Sequence, residues 1–400
     1  MTRFEFIGYI RFMIRRTVNP LKDNSFFLFG ARGTGKTTLL KQLLEENNLL
    51  SIKKFDLLDS KQELRLQRDP SKLESEIGND KYDWVIIDEV QKAPKLLDHV
   101  HKLIVEKKIK FALTGSSARK LKRGGANLLA GRAFMFYLFP LTYKELGEAF
   151  NLEEILLWGS LPRTLEFQDS EQRELFLESY VQTYLKEEVV AEQLVRNLTP
   201  FRIFLEIVAQ CNGEIINYSK LAREANTDDN TIRNYFDILE ETHIGFRLLA
   251  YDRSLRKQQV KSPKFYLFDL GVKRALNNFE IKRLVTGSSN YGKAFEHFIV
   301  TECFRLNHYA KTRYKLSYFR SKDNREVDLI IQKSKEKFIF IEIKSTDVIN
   351  KIDLTSVKAI SKEVKNSEAW VLCREAQELL VDGVRVMPWR KGLDELFGDC

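Results

Sequence analysis

A glycine-rich loop at residues 30–37 separates an apolar run at 26–29 from a helix-like stretch at 38–44. Its glycines allow backbone N–H groups to surround phosphate oxygens, and the start of the following helix adds a positive dipole end. A turn that only connected a strand to a helix would not need every fixed position of this motif. The sequence therefore predicts a nucleoside triphosphate site. The predicted binding residues are Gly30, Ala31, Arg32, Gly33, Thr34, Gly35, Lys36, Thr37 and Thr38.

Two adjacent carboxylates follow a second apolar run, at residues 84–89. Lys36 is expected to neutralise the β- and γ-phosphate oxygens, and Thr37 and Asp88 are expected to hold Mg²⁺. Glu89 is placed to orient or deprotonate the water that attacks the γ-phosphate. The alternative interpretation is that the two acids only cap the end of a strand.

A third apolar run, at residues 110–114, precedes two serines. A small hydroxyl at a strand end, with Ser116 favoured, is expected to sense the γ-phosphate from a strand that lies between the other two. The three strand ends together resemble the AAA-type branch of P-loop ATPases, and further stretches extend the resemblance. These stretches are residues 113–119, 127–133, 139–142 and Glu145.

The whole series is similar to prokaryotic AAA-type ATPases that carry an ATPase core and an uncharacterised C-terminal region. The resemblance implies ATP as the nucleotide and an oligomer in which an arginine reaches the γ-phosphate of a neighbouring subunit. Arg132 and Arg119 are the two candidates for that arginine. The alternative for both is a solvated basic helix face.

The region after the ATPase core is rich in helix-forming residues. Residues 151–197 have helical spacing and suit a lid, which in this ATPase class lies over the nucleotide. Residues 198–260 predict helices followed by a strand pair, an order that resembles a winged helix. Ser219 is expected to cap the helix at 220–225, and residues 231–241 predict an amphipathic helix. Asp228 and Asp229 lie at the start of this amphipathic helix, where they would repel DNA phosphates. The helix is therefore expected either to pack against protein or to read DNA bases, and both alternatives stay open.

The last third of the chain combines polar residues in a pattern that packing alone does not require. Residues 292–300 predict an amphipathic helix with Glu296, and Asp328 lies in a strand at 325–331. Strand periodicity places Glu342 and Lys344 on one face of the next strand. Two carboxylates that hold Mg²⁺ and a lysine that polarises water would suit phosphodiester cleavage.

These four residues resemble the core of the PD-(D/E)XK, restriction-endonuclease-like fold over about residues 285–385, with Val327 in place of the proline that precedes the aspartate. The alternative is a docking module with an internal lysine–carboxylate network. The predicted fold class is α/β with four units. They are a P-loop AAA-type core (1–150), a helical lid (151–197), a winged-helix-like module (198–260) and a nuclease-like domain (261–400).

The net charge of +9 and the pI near 9.1 permit a nucleic-acid partner without requiring one. Aromatic residues alternate with basic ones at 314–320, which suits either base stacking or a strand with one core face. The four cysteines have no metal or disulfide spacing, and a cytoplasmic location is expected. The apolar stretch at 4–14 is interrupted by Arg11 and is interpreted as a packing element, with a peripheral membrane helix as the alternative.

Two functions remain from the sequence. The first is an ATP-driven switch, oligomeric, that controls a nuclease-like effector on DNA or RNA. The second is an ATP-dependent signalling or interaction protein that binds a partner protein without cleaving anything. The intact residues Glu296, Asp328, Glu342 and Lys344 favour the first function, and Asp228 and Asp229 favour the second.

Overall fold

The computed structural model describes residues 14–20, 24–46, 51–117, 121, 129, 131–185, 198–252, 261–279, 283–321, 323 and 325–398. Arg119 and residues 4–13 of the N-terminal apolar stretch lie outside this part of the chain. Among the residues in these ranges, no helix is long and apolar enough to cross a membrane.

The N-terminal unit is a parallel five-stranded sheet in the order β2-β3-β4-β1-β5. Strands β1, β3 and β4 are buried along their whole length, as expected for a parallel sheet whose two faces are both covered. β4 lies between β1 and β3, as predicted. The elements are β1 (Ser25–Phe29), α1 (Lys36–Glu46), β2 (Ile52–Asp56), α2 (Ser60–Arg68), α3 (Lys72–Ile77), β3 (Trp84–Asp88), α4 (Leu96–Lys107), β4 (Phe111–Gly115) and β5 (Ala133–Tyr137).

A helical region connects this sheet to the rest of the chain. It contains α5 (Tyr143–Leu146), α6 (Leu152–Trp158), α7 (Pro162–Glu166), α8 (Ser170–Ser179), a π-helix (Tyr180–Leu185), α9 (Leu198–Gln210), α10 (Tyr218–Glu224) and α11 (Asp229–Glu241). The predicted amphipathic helix is confirmed as α11, whose apolar face is buried. The prediction that Ser219 caps a helix is wrong. Asn217 caps α10 by accepting from the Lys220 N–H, and the Ser219 hydroxyl instead donates to Asp229.

The C-terminal unit is built on an eight-stranded mixed sheet in the order β12-β13-β11-β10-β9-β8-β6-β7. α13 and α15 pack on one face of it and α14 packs on the other, so alternate residues of β9 and β10 enter two different cores. The elements are β6 (Gly245–Ala250), β7 (Lys264–Leu267), α12 (Leu270–Leu276), α13 (Ser289–Tyr309), β8 (Lys315–Arg320), β9 (Glu326–Gln332), β10 (Phe338–Ile343), α14 (Thr355–Lys362), β11 (Ser367–Cys373), β12 (Leu379–Val381), β13 (Val384–Pro388) and α15 (Trp389–Phe397).

The strand pair after α11 is part of this large sheet. β6 pairs antiparallel with β7 and parallel with β8, so the sheet continues across residue 260, where the sequence placed a domain boundary. In β8, Tyr318 is only 3% exposed and packs in the core. This segment is therefore a strand whose Tyr318 side chain faces the core, and Tyr318 does not form a base-stacking surface.

Candidate functional site

The glycine-rich loop leaves the end of β1 and enters α1. Gly33 and Gly35 have φ of +81° and +94°, a backbone region that side chains disfavour. A Cβ at Gly30 would lie 2.2 Å from the Leu138 carbonyl oxygen, so this glycine is needed for close packing. The Lys36 ammonium donates to the carbonyl oxygens of Gly30 (2.7 Å) and Ala31 (3.2 Å). The lysine is thus held directly over the loop.

The carboxylate of Asp88 lies beside the loop at the end of β3. Its Oδ2 accepts from the Thr37 hydroxyl at 3.3 Å and lies 3.8 Å from the Lys54 ammonium. Its Oδ1 accepts from the Thr114 hydroxyl on β4. Thr114 and Lys54 were not identified from the sequence, although Thr114 could have been noticed as a polar residue within a fully buried strand.

Glu89 adopts a left-handed backbone conformation, with φ of 58°. Its N–H donates to the Thr114 hydroxyl at 3.2 Å. The amide of Gln91 donates both to the Glu89 carboxylate and, at 3.0 Å, to the Ser116 hydroxyl. Gln91, which sequence reasoning missed, therefore links the predicted base to the predicted sensor.

The arrangement of Thr37 and Asp88 fits a magnesium ion bound together with a nucleotide. Mg²⁺ keeps several waters and takes only one or two protein ligands in such sites, with phosphates supplying others. Among the residues that the structure describes, no group of three or more His, Cys, Asp or Glu side chains is arranged to hold a metal ion. The two-residue set is compatible with that result because nucleotide phosphates and waters would supply the remaining ligands.

The helical region covers the glycine-rich loop. The Tyr180 hydroxyl donates to the Arg32 carbonyl at 2.8 Å, and Tyr180 is buried. Leu161 and Pro162 also approach the loop, near Gly33 and Gly35. A change in loop conformation would therefore alter the contacts of Tyr180, the first residue of the π-helix.

His243, between α11 and β6, is a further buried group near the loop. Burial, followed by the electrostatic influence of Lys36 and then of His308, lowers the pKa of His243 to about 3, so the ring is neutral at physiological pH. Its Nε2 has no hydrogen-bond partner, and its ring contacts Tyr137 edge-on at 5.3 Å. Sequence reasoning missed this residue because it belongs to no local motif.

Tyr180→Phe is expected to weaken the contact between the π-helix and the glycine-rich loop by about 0.5–1.5 kcal/mol, the value of one hydrogen bond. The predicted result is a several-fold faster release of a fluorescent ATP analogue, measured by stopped-flow fluorescence. Tyr82→Phe is the matched control, since its ring is half-buried like a packed tyrosine but its hydroxyl is exposed and donates to Asp80, away from the loop. Equal release rates for wild type and Tyr180→Phe would contradict this role.

Arg16 connects the loop to a distant part of the chain. Its guanidinium donates to the Thr34 carbonyl (2.6 Å), the Phe139 carbonyl (2.6 Å), the Glu145 carboxylate (2.9 Å) and the Tyr309 hydroxyl (3.3 Å). Burial by itself would lower the pKa of Arg16, but Glu145 and then Tyr309 raise it overall. Tyr309 is the last residue of α13, so one side chain joins the nucleotide loop to the C-terminal unit.

Arg132 is exposed and immediately precedes β5. The first residue of β5 pairs with the first residue of β1, whereas the glycine-rich loop follows the last residue of β1. Five residues of strand span about 17 Å, so Arg132 lies at the opposite end of the strands from the loop of its own chain. Any contact with a γ-phosphate would therefore be to that of another copy.

The four predicted nuclease-like residues come together where β9, β10 and α13 meet. The register of β9 and β10, continued by one residue, sets Glu342 opposite Asp328. The Lys344 ammonium donates to Glu342 at 2.8 Å, and Asp328 accepts from the Ile343 N–H at 2.8 Å. Burial, then Glu342 and Glu296, raise the pKa of Asp328 well above its usual value.

Glu342 has one carboxylate oxygen that is buried without a hydrogen-bond partner. Burial raises the pKa of Glu342, and Lys344 opposes that rise only in part. An orphaned buried oxygen beside a second carboxylate suits a cation, although these acids do not converge as a set of three around one point in the described residues. Glu296 is instead held by two side chains that the sequence did not indicate, Lys264 (3.3 Å) and Tyr266 (2.7 Å).

Comparison with protein families divides the chain into three matched regions. Residues 22–147 match the AAA domain family, residues 149–283 match a domain of unknown function (DUF8612), and residues 291–391 match a second domain of unknown function (DUF4143). The N-terminal unit is therefore a P-loop ATPase domain of the AAA type.

Similar proteins are found in bacteria and archaea. An uncharacterized protein of Mycobacterium tuberculosis is 25% identical over 66% of this chain and 58% of its own length. The chain thus spans less than two thirds of that relative. An uncharacterized protein of Methanocaldococcus jannaschii is 28% identical over 92% of this chain and 84% of its own length.

A Walker-type ATPase and a replication initiator are among the solved structures that match the chain at low similarity. A Walker-type ATPase of Pyrococcus abyssi is 14% identical, covers 63% of this chain and 90% of its own, and has a TM-score of 0.42. The replication initiator DnaA bound to AMPPCP and single-stranded DNA is 16% identical, covers 55% of this chain and 82% of its own, and has a TM-score of 0.30.

Proposed function

We propose that this protein hydrolyses ATP and uses the nucleotide state to switch its C-terminal unit. In this proposal Lys36 neutralises the β- and γ-phosphate oxygens, and Glu89 accepts a proton from the attacking water. The water oxygen bonds to the γ-phosphorus as the bond to the β–γ bridging oxygen breaks. Ser116, joined to Glu89 through Gln91, reports whether the γ-phosphate is present.

Mg²⁺ would be held by Thr37 and Asp88, and it would supply neutralisation of phosphate charge. The hydrogen bond between these two side chains already places their oxygens 3.3 Å apart. The proposed nucleotide-binding set is residues 30–38. Arg132 is proposed as the arginine that a neighbouring copy contributes, which makes the functional unit an oligomer.

The observation that carries the switch is the set of contacts made by Arg16. Thr34 belongs to the nucleotide loop, and Tyr309 ends α13. Glu296 lies on the same helix. At 1.5 Å per residue, Glu296 and Tyr309 are about 20 Å apart along α13. A rigid helix of this length would convey a shift of the loop to the acidic site.

The effector is proposed to be nuclease-like, with DNA or RNA as substrate. The element order α13, β8, β9, β10, α14, β11, with β11 parallel to β10, supports the resemblance to the restriction-endonuclease-like fold. In the proposed site Asp328 and Glu342 hold a divalent cation, Lys344 orients the attacking water, and Glu296 is the helix-borne acid. The boundaries at residues 150 and 197 given from the sequence are part of this proposal, whereas β6 joins the sheet of the C-terminal unit across residue 260.

The nuclease proposal predicts Mg²⁺- or Mn²⁺-dependent cleavage that requires ATP. Wild type is to be compared with Glu342→Ala and Lys344→Ala on single- and double-stranded DNA and RNA. Because one variant removes a cation ligand and the other the water-orienting group, cleavage is expected to fall at least about 100-fold in both. ATP turnover should be unchanged in both, since Glu342 and Lys344 lie in the C-terminal unit.

A second candidate function is a docking module without cleavage. It is favoured by the buried lysine Lys264, which pairs with Glu296 and with the neighbouring Glu326 and gives the site an internal counter-charge. Asp228 also favours it, because its carboxylate is used to cap α11 at the position where a DNA-reading helix would face phosphates. Absence of cleavage under every condition, with ATP turnover intact, would establish this second function over the first.

A further inference from the structure

Lys264 brings a positive charge to the acidic site of the C-terminal unit, which contains Glu296, Asp328 and Glu342. It does so from a strand outside the sequence motif. It lies on β7, at the edge of the large sheet, and is only 4% exposed. Its ammonium bonds Glu326 at 2.6 Å and Glu296 at 3.3 Å. A buried lysine is stable only when it is well paired, so these acids and Lys264 hold one another in place.

Tyr266 strengthens this arrangement from the same strand. It lies two residues after Lys264, and side chains at that spacing share a face of a strand. Its hydroxyl donates at 2.7 Å to the same Glu296 oxygen that Lys264 contacts. This Glu296 oxygen therefore has two donors, and both would have to give way before it could bind a cation.

The positive groups already at this site offset most of the negative charge of its carboxylates. The acids Glu296, Glu326, Asp328 and Glu342 face the ammonium groups of Lys264 and Lys344. Arg320 also approaches Glu326, at 3.8 Å, and Lys273 lies close enough to Glu296 to be influenced by it. A divalent cation and the Lys264 ammonium would compete for the same negative charge.

We propose that Lys264 serves as a built-in cation at this site, and that with Tyr266 it occupies the Glu296 oxygen that a divalent cation would otherwise use. Binding of a divalent cation through this Glu296 oxygen then requires that Lys264 and Tyr266 release it. This inference rests on the proposed function, in which the site is metal-dependent, and it adds a restraint that the α13 movement would have to overcome. Lys264 and Tyr266 are positioning residues in this arrangement.

The test is direct measurement of Mn²⁺ binding to the full chain by electron paramagnetic resonance, without nucleotide. Lys264→Met removes the charge and keeps the aliphatic stem, and it is expected to tighten Mn²⁺ binding at least about tenfold. Adding Glu342→Gln should abolish that gain, which assigns it to this site. Lys293→Met, a surface lysine on α13 paired with Glu214, is the matched control and should bind as wild type does.

Equal or weaker Mn²⁺ binding by Lys264→Met would overturn the proposal. Tyr266→Phe decides the question if the methionine variant does not fold, because it removes one donor without a change of charge. Tighter Mn²⁺ binding by Tyr266→Phe supports the proposal, and unchanged binding overturns it. Tighter binding without cleavage would reject only the nuclease function, and cleavage with unaltered Mn²⁺ affinity would reject only the Lys264 restraint.

Discussion

Glu89→Gln is expected to lower ATP turnover by about 10²- to 10⁴-fold, the range for removal of a general base, and to leave ATP affinity within a few-fold. The amide cannot accept a proton from water, but it keeps the size of the side chain and an oxygen that accepts from Gln91. The measurement is steady-state phosphate release together with equilibrium binding of a fluorescent ATP analogue.

Glu45→Gln is the control for this experiment, since Glu45 is an exposed acid on α1 whose ion pair with Lys41 lies on the surface. Its turnover should match that of wild type. Equal turnover by wild type and Glu89→Gln would contradict the hypothesis that Glu89 acts as the general base in ATP hydrolysis. Loss of ATP binding in Glu89→Gln would show instead that the carboxylate supports the structure of the site.

Arg16→Met is expected to destabilise the protein by about 3–5 kcal/mol, because it leaves the buried Glu145 carboxylate without its positively charged partner, although backbone N–H groups still bond it. The side chains of Arg16 and Glu145 are 5% and 0% exposed, so water cannot replace the lost contact. The measurement is denaturant unfolding. The double variant Arg16→Met/Glu145→Gln should recover part of the lost stability, and a double variant no more stable than Arg16→Met would contradict the buried-charge explanation.

Tyr309→Phe tests the proposed nucleotide switch without removing a buried charge. It keeps the ring and removes the hydroxyl that accepts from Arg16 and from the Phe139 N–H. ATP turnover should persist, whereas the ATP-dependent change in amide hydrogen exchange of β9 and β10 should be reduced. An unchanged exchange response in Tyr309→Phe would mean that the nucleotide signal reaches the C-terminal unit by another route.

The nucleotide site was predictable from the sequence because its conformation is encoded locally. Gly33 and Gly35 occupy left-handed backbone positions, and Lys36 and Thr37 follow them within one loop. The buried parallel strands also appear as continuous apolar runs, which identify β1 and β3 without any tertiary information. The same reasoning located Asp328 and Glu342 on neighbouring strands, since strand periodicity is a local property.

The partners of these local motifs were decided only by the tertiary structure. Arg16 reaches Glu145 across 129 residues and Tyr309 across 293, and no periodicity relates positions so far apart. Lys264 and Tyr266 likewise face Glu296 only because β7 and α13 meet in the folded chain. The sequence by itself determined which chemical groups each site contains. Packing determined which groups neutralise, cover and connect the sites, because burial forces each charge to find a partner wherever the fold supplies one.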